Sequence, residues 1–521
     1  MFFQTIIIAS AAACVVSATD ILSRCAEHNI KFPYIPGTQL LEISAQPVEN
    51  YTTSGSLTQS DAVFKTTLDI CNVTINYAHQ GWEDNVKITI WLPLRDWNGR
   101  LSGIGGAGFS SLASFSRFAP AVSRGYAAVG TDAGHVMDSL NASSWALDES
   151  SRVNFFLLQN NFAISQNEAA IVAKEVIRSV YRKGPQYSYW DGCSTGGRQG
   201  LMLAQRYPDA YDGILVGAPA INWANFVPGM YYPQFVMNRL NHFPRQCIFS
   251  AIVNATIAAC DELDGVKDGI LSMPFQCHFD PSRMVHQKVD CGGEDIAVTK
   301  EDVQVMQAIW DGPKGADGSP LWYGMPKGVS PKDQANTTCQ GDRCTGVPFN
   351  IAADWIKLFV LQDETVDLAT LPETGFEAVT DLSVSAYKYV TSTDNPDLQA
   401  FRETGGKILH WHGLADQQIY VQGSQNYYER VEAKDVQVRD FYRFFEAPGV
   451  AHCGGGYGLL PVDPFSVLVD WVESGVAPDH LPAATEDGSQ QRNLCPYPLV
   501  PSYTSGNPTR ASSFKCRALY A

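Results

Sequence analysis

The sequence predicts an α/β fold, in which helices cover a mainly parallel β-sheet and one large insertion interrupts the core. Two observations predict it. Short apolar runs alternate with helical segments through residues 85–219, and this alternation is typical of parallel sheets with crossover helices. The alternation stops after about residue 220 and returns at residue 405, which places an insertion between two parts of the same sheet.

The first strands and the first long helix of this core have clear periodicities. Residues 85–94 alternate apolar with other side chains, which is strand periodicity, and residues 125–135 form a short apolar run that ends in loop residues. Residues 168–184 place valines four residues apart on one helical face and end in basic residues and a glycine, as helices commonly do. These segments predict strand, strand and helix, in that order.

The alternation continues around a glycine-rich turn. Residues 187–190 predict a strand, residues 198–208 a helix, and residues 213–219 a second buried strand. After the insertion, residues 405–419 and 441–449 each begin with an apolar run and end in a loop. We therefore expect these two segments to continue the same sheet.

Four segments divide the chain. Residues 1–18 have the apolar stretch and the small-residue ending of a secretory signal peptide. The alternative is a membrane anchor, but the apolar run is interrupted and short for a span. Residues 19–220 and 401–521 form the predicted core. Residues 221–400, which are rich in Trp, Tyr, Pro, Gly and Cys, form the predicted insertion.

Cysteines, glycosylation sequons and charge agree with secretion. Of the 13 cysteines, Cys14 leaves with the signal peptide, so an even number remains for disulfides. The net charge of −17 disfavours nucleic acid and anionic membranes as partners. We expect a secreted, extracellular glycoprotein that binds no membrane once the signal peptide is removed. The Asn-x-Ser/Thr sequons begin at Asn50, Asn72, Asn141, Asn254 and Asn336.

The turn at residues 192–196, Gly-Cys-Ser-Thr-Gly, carries the strongest chemical signal. It fits G-x-S-x-G between a predicted strand and a predicted helix, the setting that this nucleophile motif requires. The glycines permit a cramped turn that projects Ser194 above the sheet and leaves N–H groups at the helix start for an oxyanion. We therefore expect Ser194 to be a nucleophile and the N–H of Thr195 to be an oxyanion donor. The alternative is a tight turn in a nucleotide-binding α/β fold.

The partners of Ser194 follow from the order of residues in this type of triad, which is serine, then acid, then histidine. His452 lies in a loop directly after a predicted strand, whereas His480 has no such position. Asp416 also follows a predicted strand, and its rival Glu446 lies within one. His452 is the predicted general base, and Asp416 is the predicted acid that orients the imidazole.

Two cysteines flank the predicted catalytic pair. Cys193 directly precedes Ser194, and Cys453 directly follows His452. If Ser194 and His452 are hydrogen-bonded, their neighbours lie close enough for a disulfide, which needs Cα atoms about 5.5–6 Å apart. Closing a loop of roughly 260 residues has an effect of about 5 kcal/mol on the unfolded chain in the simple entropic description. The bridge would also fix the Ser–His distance. The alternative is that each cysteine has another partner.

These residues resemble the CS-D-HC signature of the tannase and feruloyl esterase family, with Cys193-Ser194, Asp416 and His452-Cys453 at its three positions. The segments GCSTGGRQG, GTDAGH, HGLADQQI and GVAHCGGG also resemble family segments. The resemblance runs from about residue 25 to the C-terminus. It implies an α/β-hydrolase core whose large insertion is a lid domain over the triad.

The resemblance also implies an oxyanion donor in the glycine-rich loop at residues 103–110. We carry that role over to the N–H of Gly105 or Gly106. The alternative is that these glycines form a plain flexible turn.

The resemblance implies a secreted serine esterase, of the feruloyl esterase type, that acts on esters of plant phenolic acids. The expected substrates are ferulate, p-coumarate or caffeate esters of cell-wall sugars, either as small phenolic esters or as feruloylated oligosaccharides. A tannase that hydrolyses galloyl esters uses the same triad, so the triad does not separate the two. Residues 222–235, which are rich in aromatics, would either wall the acyl pocket or belong to the lid core. A non-catalytic binding protein on a hydrolase scaffold is the alternative of another class.

An acidic loop lies in the predicted lid at residues 260–271. Its three aspartates could converge on a hard cation, together with two backbone carbonyls, since such ions prefer oxygen ligands. The spacing is equally that of a solvated acidic turn. The resemblance implies a structural calcium here, and we expect no organic cofactor. The candidate ligands are Asp261, Asp264, Val266, Asp268 and Ile270.

The remaining cysteines suggest a disulfide framework. Cys260 and Cys277 could bracket the acidic loop, and two further natural pairs lie near the ends of the chain. Four other cysteines allow three pairings, which the sequence does not resolve, although Cys339–Cys344 is the easiest local choice. The end pairs are Cys25–Cys71 and Cys495–Cys516, and the four are Cys247, Cys291, Cys339 and Cys344.

Overall fold

A computed structural model of the protein describes residues 18–56 and 63–518. The predicted signal peptide lies outside these residues, apart from Ala18. In the described part of the chain, no helix is both long enough and apolar enough to cross a membrane. The strands, in chain order, are β1 (Thr38–Ser56), β2 (Val63–His79), β3 (Val86–Pro93), β4 (Arg100–Ile104), β5 (Ala127–Thr131), β6 (Tyr187–Cys193), β7 (Gly213–Gly217), β8 (Lys288–Asp290), β9 (Asp295–Ala297), β10 (Asn336–Gln340), β11 (Arg343–Val347), β12 (Lys407–Gly413), β13 (Tyr442–Ala447), β14 (Leu460–Pro461), β15 (Leu481–Ala484), β16 (Gln491–Leu494), β17 (Leu499–Tyr503) and β18 (Phe514–Ala518).

Helices connect most of the parallel strands of the main sheet. Helix α2 follows β4, α4 follows β5, α5 follows β6, and α12 follows β12. The helices are α1 (Ala18–Arg24), α2 (Phe118–Ser123), α3 (Phe155–Gln159), α4 (Ser165–Tyr181), α5 (Thr195–Arg206), α6 (Trp223–Leu240), α7 (Gln246–Cys260), α8 (Lys300–Asp311), α9 (Asn350–Asp354), α10 (Glu373–Thr391), α11 (Gln399–Glu403), α12 (Gln422–Lys434) and α13 (Pro464–Ser474).

The main sheet has nine strands among the described residues, in the order β1-β2-β3-β5-β4-β6-β7-β12-β13. The six strands from β5 to β13 in this order pair in parallel, whereas β1, β2 and β3 pair antiparallel at one edge. The strand order reverses beside β4, since β5 lies on one side of β4 and β6 on the other. Ligands of open parallel sheets bind at such a reversal, beyond the carboxyl ends of the strands.

The predicted periodicities explain how the sheet is covered. Alternate residues of β3 form a fully buried face, and the valines of α4 pack into the same cluster. The branched side chains suit a strand that is buried against a helix. These residues are Val86, Ile88, Ile90 and Leu92 of β3 with Val172, Val176 and Val180 of α4.

The chain leaves the main sheet after β7 and returns to it at β12. The segment between them contains α6 to α11 and the hairpins β8–β9 and β10–β11. Trp223 of α6 and Trp355 share one buried cluster with Phe109 and Phe162, which precede β6 in the chain. The insertion is therefore packed onto the sheet domain through aromatic side chains.

Six disulfides join the 12 cysteines of the described residues. The four cysteines that the sequence left unpaired form Cys247–Cys291 and Cys339–Cys344. The other bridges are Cys25–Cys71, Cys193–Cys453, Cys260–Cys277 and Cys495–Cys516.

Candidate active site

The three predicted triad residues lie beyond the carboxyl ends of three parallel strands. Ser194 directly follows β6, Asp416 follows β12, and His452 follows β13. Strand β7 separates β6 from β12 in the sheet. The fold thus brings together residues that are up to 258 positions apart in the chain.

The turn at Ser194 has the strained conformation of a nucleophile elbow. Ser194 has φ of 62° and ψ of −123°, a region that a residue with a side chain rarely adopts. Its N–H donates to the carbonyl of Gly217 at 2.9 Å, and its carbonyl accepts from Arg198 at 3.0 Å. A Cβ at Gly192 would lie 2.4 Å from the carbonyl of Gly196, so only glycine fits there. The glycines thus allow the tight packing that holds the serine in place.

His452 is oriented by Asp416. The Nδ1 of His452 lies 2.8 Å from Oδ2 of Asp416, and its backbone N–H donates to the side chain of Gln417 at 3.1 Å. A carboxylate accepts only, so Nδ1 carries the proton. The Nε2 of His452 is then the nitrogen that is able to accept a proton from a serine.

The carboxylate of Asp416 is buried and fully bonded. Its Oδ1 accepts from the N–H groups of Gln418 and Ile419 at 2.9 and 2.8 Å, and its Oδ2 also lies 3.1 Å from Nε2 of His412. Burial alone would raise the pKa of Asp416. The charge of His452 and the hydrogen bonds from His412 and His452 outweigh burial and hold that pKa well below its usual value. Asp416 is therefore an anion at any pH at which the protein would work.

The rival residues lie elsewhere. Glu446 lies in β13 and accepts from the side chain of Gln425 at 2.6 Å, and burial raises its pKa to about 7. His480 is exposed. Among the described residues, Asp416 is the carboxylate that bonds to His452.

A disulfide ties the serine turn to the histidine loop. Cys193 and Cys453 are bonded, with Cα atoms 5.9 Å apart, across a sequence separation of 260 residues. The Sγ of Cys453 lies 3.7 Å from Nε2 of His452. The bridge therefore fixes the two backbone segments that carry Ser194 and His452.

Ser194 and His452 line one cavity of about 280 Å³. The insertion contributes Phe349 and Ile351 to its wall, and the sheet domain contributes Leu140. None of the described residues 222–235 lines it. Those residues lie largely in α6, whose aromatic side chains belong to the buried cluster of the insertion. The expectation that this segment forms a wall of the acyl pocket is therefore wrong. Its burial agrees with the other expectation, that it belongs to the lid core.

A second, larger cavity of about 1050 Å³ adjoins the first. Ile104, Arg117 and Asp191 line both. The larger cavity extends between α2 and the segment that follows His452, and Tyr457 and several polar side chains lie along it. The site thus has a small compartment at the triad and a wide one beside it.

The glycine-rich loop is held by its own hydrogen bonds. The N–H of Gly105 donates to the carbonyl of Asp191 at 2.9 Å, and the N–H of Gly106 donates to the side chain of Gln199 at 2.8 Å. Thr195 opens α5, where the first N–H groups of a helix have no acceptor within the helix. Thr195 remains the simplest oxyanion donor, and the donor role of the two glycines stays a prediction that requires their bonds to open.

The acidic loop of the insertion does not have the arrangement predicted for calcium. Among the described residues, no group of three or more His, Cys, Asp and Glu side chains could hold a metal ion. Asp268 instead forms an ion pair with the buried Arg492 of β16. The calcium prediction is wrong for this structure because an arginine supplies the positive charge that the prediction assigned to an ion.

The other two aspartates of the loop are also bonded within the protein. Asp261 accepts from the N–H groups of Asp268 and Gly269 at 3.0–3.2 Å. Asp264 accepts from the N–H of Val266 and from the hydroxyl of Ser272 at 2.8 Å, and burial raises the pKa of Asp264 to about 6. The N–H of Ile270 donates to Asp268 at 3.1 Å. These bonds make the loop a compact, internally bonded turn.

The five sequons differ in exposure. Asn50, Asn141 and Asn254 are exposed, whereas Asn72 and Asn336 are partly buried within strands. Glycosylation of these residues stays a prediction, and the first three offer the more accessible side chains.

Sequence reasoning missed the buried histidines behind the acid. His410 and His412 lie two residues apart on β12, so both point to the same face of the sheet. Two histidines at this spacing, directly before a predicted catalytic aspartate, are the signal that could have found them. His412 bonds to Asp416 directly, and His410 is linked to His412 through Ser424.

Comparison with known proteins points to one family. A family model described as "Tannase and feruloyl esterase" matches residues 71–517. The chain is similar to a probable feruloyl esterase of Arthroderma benhamiae, at 42% identity, which covers 94% of this chain and 93% of the relative. It is also similar to the tannase of Aspergillus oryzae, at 28% identity, which covers 97% of this chain and 94% of the relative.

Solved structures agree with these matches. A tannin acyl hydrolase from Aspergillus niger is similar with a TM-score of 0.85 at 27% identity, covering 97% of this chain and 95% of that one. Feruloyl esterase B from Aspergillus oryzae is similar with a TM-score of 0.79 at 25% identity, covering 95% of this chain and all of that one. The predicted α/β fold with an interrupted core is confirmed.

Proposed function

Because the chain belongs to the tannase and feruloyl esterase family of carboxylic ester hydrolases, we propose that it cleaves esters by serine catalysis. Oγ of Ser194 attacks the ester carbonyl while Nε2 of His452 takes its proton. The tetrahedral oxyanion accepts a hydrogen bond from the N–H of Thr195. His452 then returns the proton to the departing alcohol, which leaves an acyl-enzyme. A water molecule, deprotonated by His452, attacks this ester and releases the acid and the free serine.

The contact between His452 and Asp416 carries this proposal. A carboxylate 2.8 Å from Nδ1 selects the tautomer whose Nε2 accepts a proton, and it stabilises the imidazolium that forms. The same imidazole lines one cavity with a serine in a strained strand-to-helix turn. The proposed nucleophile and general base thus line one cavity, and the proposed acid is buried behind the histidine.

The acyl group is proposed to be a hydroxycinnamate. Leu140, Phe349 and Ile351 supply apolar wall to the small cavity, which suits an aromatic ring with a propenoyl arm and a methoxyl group. The relative at 42% identity is a probable feruloyl esterase. A galloyl ester is the second candidate, because relatives of similar length include a tannase and a tannin acyl hydrolase. A gallate would require polar partners for three hydroxyls.

The larger cavity is proposed to receive the alcohol part of the ester. Ile104, Arg117 and Asp191 border both cavities, so an ester bond at Ser194 would direct its two halves into neighbouring spaces. An aromatic side chain, Tyr457, and the polar Thr485 line the larger one, and sugars bind to such mixed surfaces. The substrate would then be a feruloylated oligosaccharide of the plant cell wall.

Secretion and a lid complete the proposal. The predicted signal peptide at residues 1–18 and six disulfides suit an oxidising, extracellular location. Residues 221–400 are proposed as the lid, supported by the position of Phe349 and Ile351 in the wall of the catalytic cavity. Core segments at residues 19–220 and 401–521 would carry the triad.

The test is hydrolysis of methyl ferulate, methyl caffeate and methyl gallate in parallel by the mature protein. Ser194→Ala is the inactive variant, and Ser250→Ala, an exposed serine of α7, is the matched control. We expect turnover of the two hydroxycinnamates by the protein and the control, and none by Ser194→Ala. Turnover of gallate alone would make the protein a tannase. Turnover that survives Ser194→Ala would overturn the serine mechanism.

A further inference from the structure

A chain of buried hydrogen-bonding side chains extends from Asp416 through β12, α12 and β13. Nε2 of His412 lies 3.1 Å from Asp416, and its Nδ1 lies 2.8 Å from Oγ of Ser424. Oγ of Ser424 lies 3.2 Å from Nε2 of His410, whose Nδ1 lies 2.8 Å from the hydroxyl of Tyr442. All five side chains are buried, so each polar atom requires a partner.

The direction of this chain is fixed at His412. Its Nε2 faces two acceptors, Oδ2 of Asp416 and the carbonyl of Ile419 at 2.8 Å. A nitrogen between two acceptors must carry the proton, since a lone pair there would repel both. In the neutral ring Nδ1 is then an acceptor, and it receives the hydroxyl proton of Ser424.

The rest of the chain follows in the same direction. Because Ser424 donates to His412, its oxygen accepts from Nε2 of His410. Nδ1 of His410 then accepts from the hydroxyl of Tyr442. Burial lowers the pKa of His410 well below its usual value and raises that of Tyr442 well above its usual value, so the ring stays neutral and the phenol keeps its proton. Every proton in the chain points toward Asp416.

The series of hydrogen-bonded side chains ends at a single oxygen, which it shares with the proposed general base. Oδ2 of Asp416 accepts from Nε2 of His412 and from Nδ1 of His452, at 3.1 and 2.8 Å. Hydrogen bonds to an anion are the strong ones, and each one draws charge from the oxygen. The donor from His412 therefore holds the carboxylate in position and moderates its attraction for a protonated His452.

We infer that His412 is a positioning residue for the reaction, which acts through Asp416 to set the orientation and the basicity of His452. Ser424, His410 and Tyr442 hold it in the one tautomer that can donate to the carboxylate. This inference rests on the proposed function, because it requires His452 to be the general base.

Other ionisable groups near this chain have their own partners. The phenol of Tyr420 donates to Gln334 at 2.6 Å, and Glu446, which pairs with His412 in the strand register, accepts from Gln425. Asp333 accepts from Gln417 and Gln418, the two residues that follow Asp416. His412 is thus the ionisable side chain that shares Oδ2 of Asp416 with His452.

The test compares two substitutions at one position. His412→Leu removes the donor, whereas His412→Gln keeps an N–H at a similar reach. Without the donor, Asp416 attracts imidazolium at His452 more strongly, so the protonated form of the base, which cannot accept a proton from Ser194, is favoured. We expect the acidic limb of kcat/KM to move upward by about one pH unit in His412→Leu. His412→Gln should stay close to the unchanged protein. Ser424→Ala should shift the limb in the same direction by less.

Two readouts separate the possible results. The rate at which a fluorophosphonate labels Ser194 is measured against pH, together with ester hydrolysis. Tyr231→Phe, which removes a buried hydroxyl of α6 in the insertion, is the matched control. Equal pH profiles in His412→Leu, His412→Gln and the control would overturn the role of His412, even if all lose stability. Failure of the unchanged protein to be labelled would overturn the proposed function instead.

Discussion

At the scale of single residues, the proposed catalytic roles depend on which atoms the fold brings close together, rather than on which residue types the chain contains. Ser194 reaches its strained backbone because three glycines pack against one another around the turn, at residues 105, 192 and 196. The structure places the three predicted triad residues directly beyond strand ends, as the sequence suggested, because strand ends and motif spacing are local signals. The spacing of the two strand histidines was a usable signal for His412, but its contact with Ser424 of α12 depends on the tertiary fold.

Substitution of Gly105 tests the close approach. A Cβ at Gly105 would lie 2.6 Å from Cα of Gly196, a backbone atom that cannot move aside cheaply. We expect Gly105→Ala to lower the free energy of unfolding by about 1–3 kcal/mol and to reduce kcat, because the serine turn is displaced. Urea unfolding and ester hydrolysis measure the two effects.

Gly184→Ala is the matched control for that substitution. Its nearest atoms belong to the flexible side chain of Arg178, at 3.4 Å or more. We expect a change within about 0.5 kcal/mol and normal activity. Equal behaviour of the two variants would contradict the packing account of the turn.

At the scale of elements, the sequence predicted the parallel strands and covering helices better than the edges and the insertion. Buried parallel strands are apolar and short, and crossover helices are periodic, so both leave local patterns. The hairpin of β1 and β2 is long and largely polar on its exposed side, and it gave no such pattern. The acidic loop was mistaken for a metal site because Arg492, the partner of Asp268, lies 224 residues away.

Removal of the Cys193–Cys453 disulfide tests whether this bridge holds the serine turn and the histidine loop in position. The bridge closes a 260-residue separation between the serine turn and the histidine loop. We expect the double variant Cys193→Ala, Cys453→Ala to lose about 5 kcal/mol of unfolding free energy in the entropic limit, and to lose kcat. Thermal unfolding and hydrolysis of methyl ferulate measure the losses.

The double variant Cys339→Ala, Cys344→Ala provides the comparison. This bridge spans a separation of only 5 residues in the β10–β11 hairpin, so its entropic effect is about 2 kcal/mol. We expect a smaller loss of stability and unchanged kcat. Equal losses of activity in the two double variants would show that the catalytic bridge does not position the site.

At the scale of the whole molecule, the site is an assembly of the sheet domain, the insertion and the segment after β13. Residues of the insertion line part of the small cavity. Residues of α2 and of the segment beyond His452 line part of the larger cavity. Neither cavity has a local sequence pattern, because a cavity forms where segments that are distant in the chain leave space between them.

If the larger cavity receives the alcohol part of the ester, a substitution in its wall should raise KM for large substrates and leave KM for small ones unchanged. Tyr457 lines it, is 37% exposed, and is not among the residues that line the small cavity. We expect Tyr457→Ala to raise KM several-fold for a feruloylated oligosaccharide, because a stacking surface for the sugar is lost. KM for methyl ferulate should stay unchanged. An equal change for both substrates would place the sugar elsewhere.

A buried hydrogen-bonded network at one end of β2 should make the stability of the protein depend on pH. His79 lies 2.6 Å from Asp84 and 3.1 Å from Glu168. Burial alone would lower the pKa of His79, but hydrogen bonds and charge from these carboxylates raise it to about 9. The folded state therefore holds the proton more tightly than the unfolded chain, whose histidine pKa is about 6.5. This stabilisation is complete below about pH 6.5 and is lost as the pH rises through 9.

Thermal unfolding between pH 6 and pH 10 measures this effect. We expect the Tm to fall across that range, and the fall to be smaller in His79→Gln. His480→Gln, at an exposed histidine, should follow the unchanged protein. Identical pH curves for all three proteins would show that the network does not contribute.

The most direct test of the account is peptide mass mapping after reaction with a fluorophosphonate. We expect one covalent adduct, on the peptide that contains Ser194, which is absent in Ser194→Ala and forms far more slowly in His452→Ala. An adduct on another serine, or no adduct on a folded protein that hydrolyses esters, would contradict the assignment of Ser194, His452 and Asp416 as the catalytic triad.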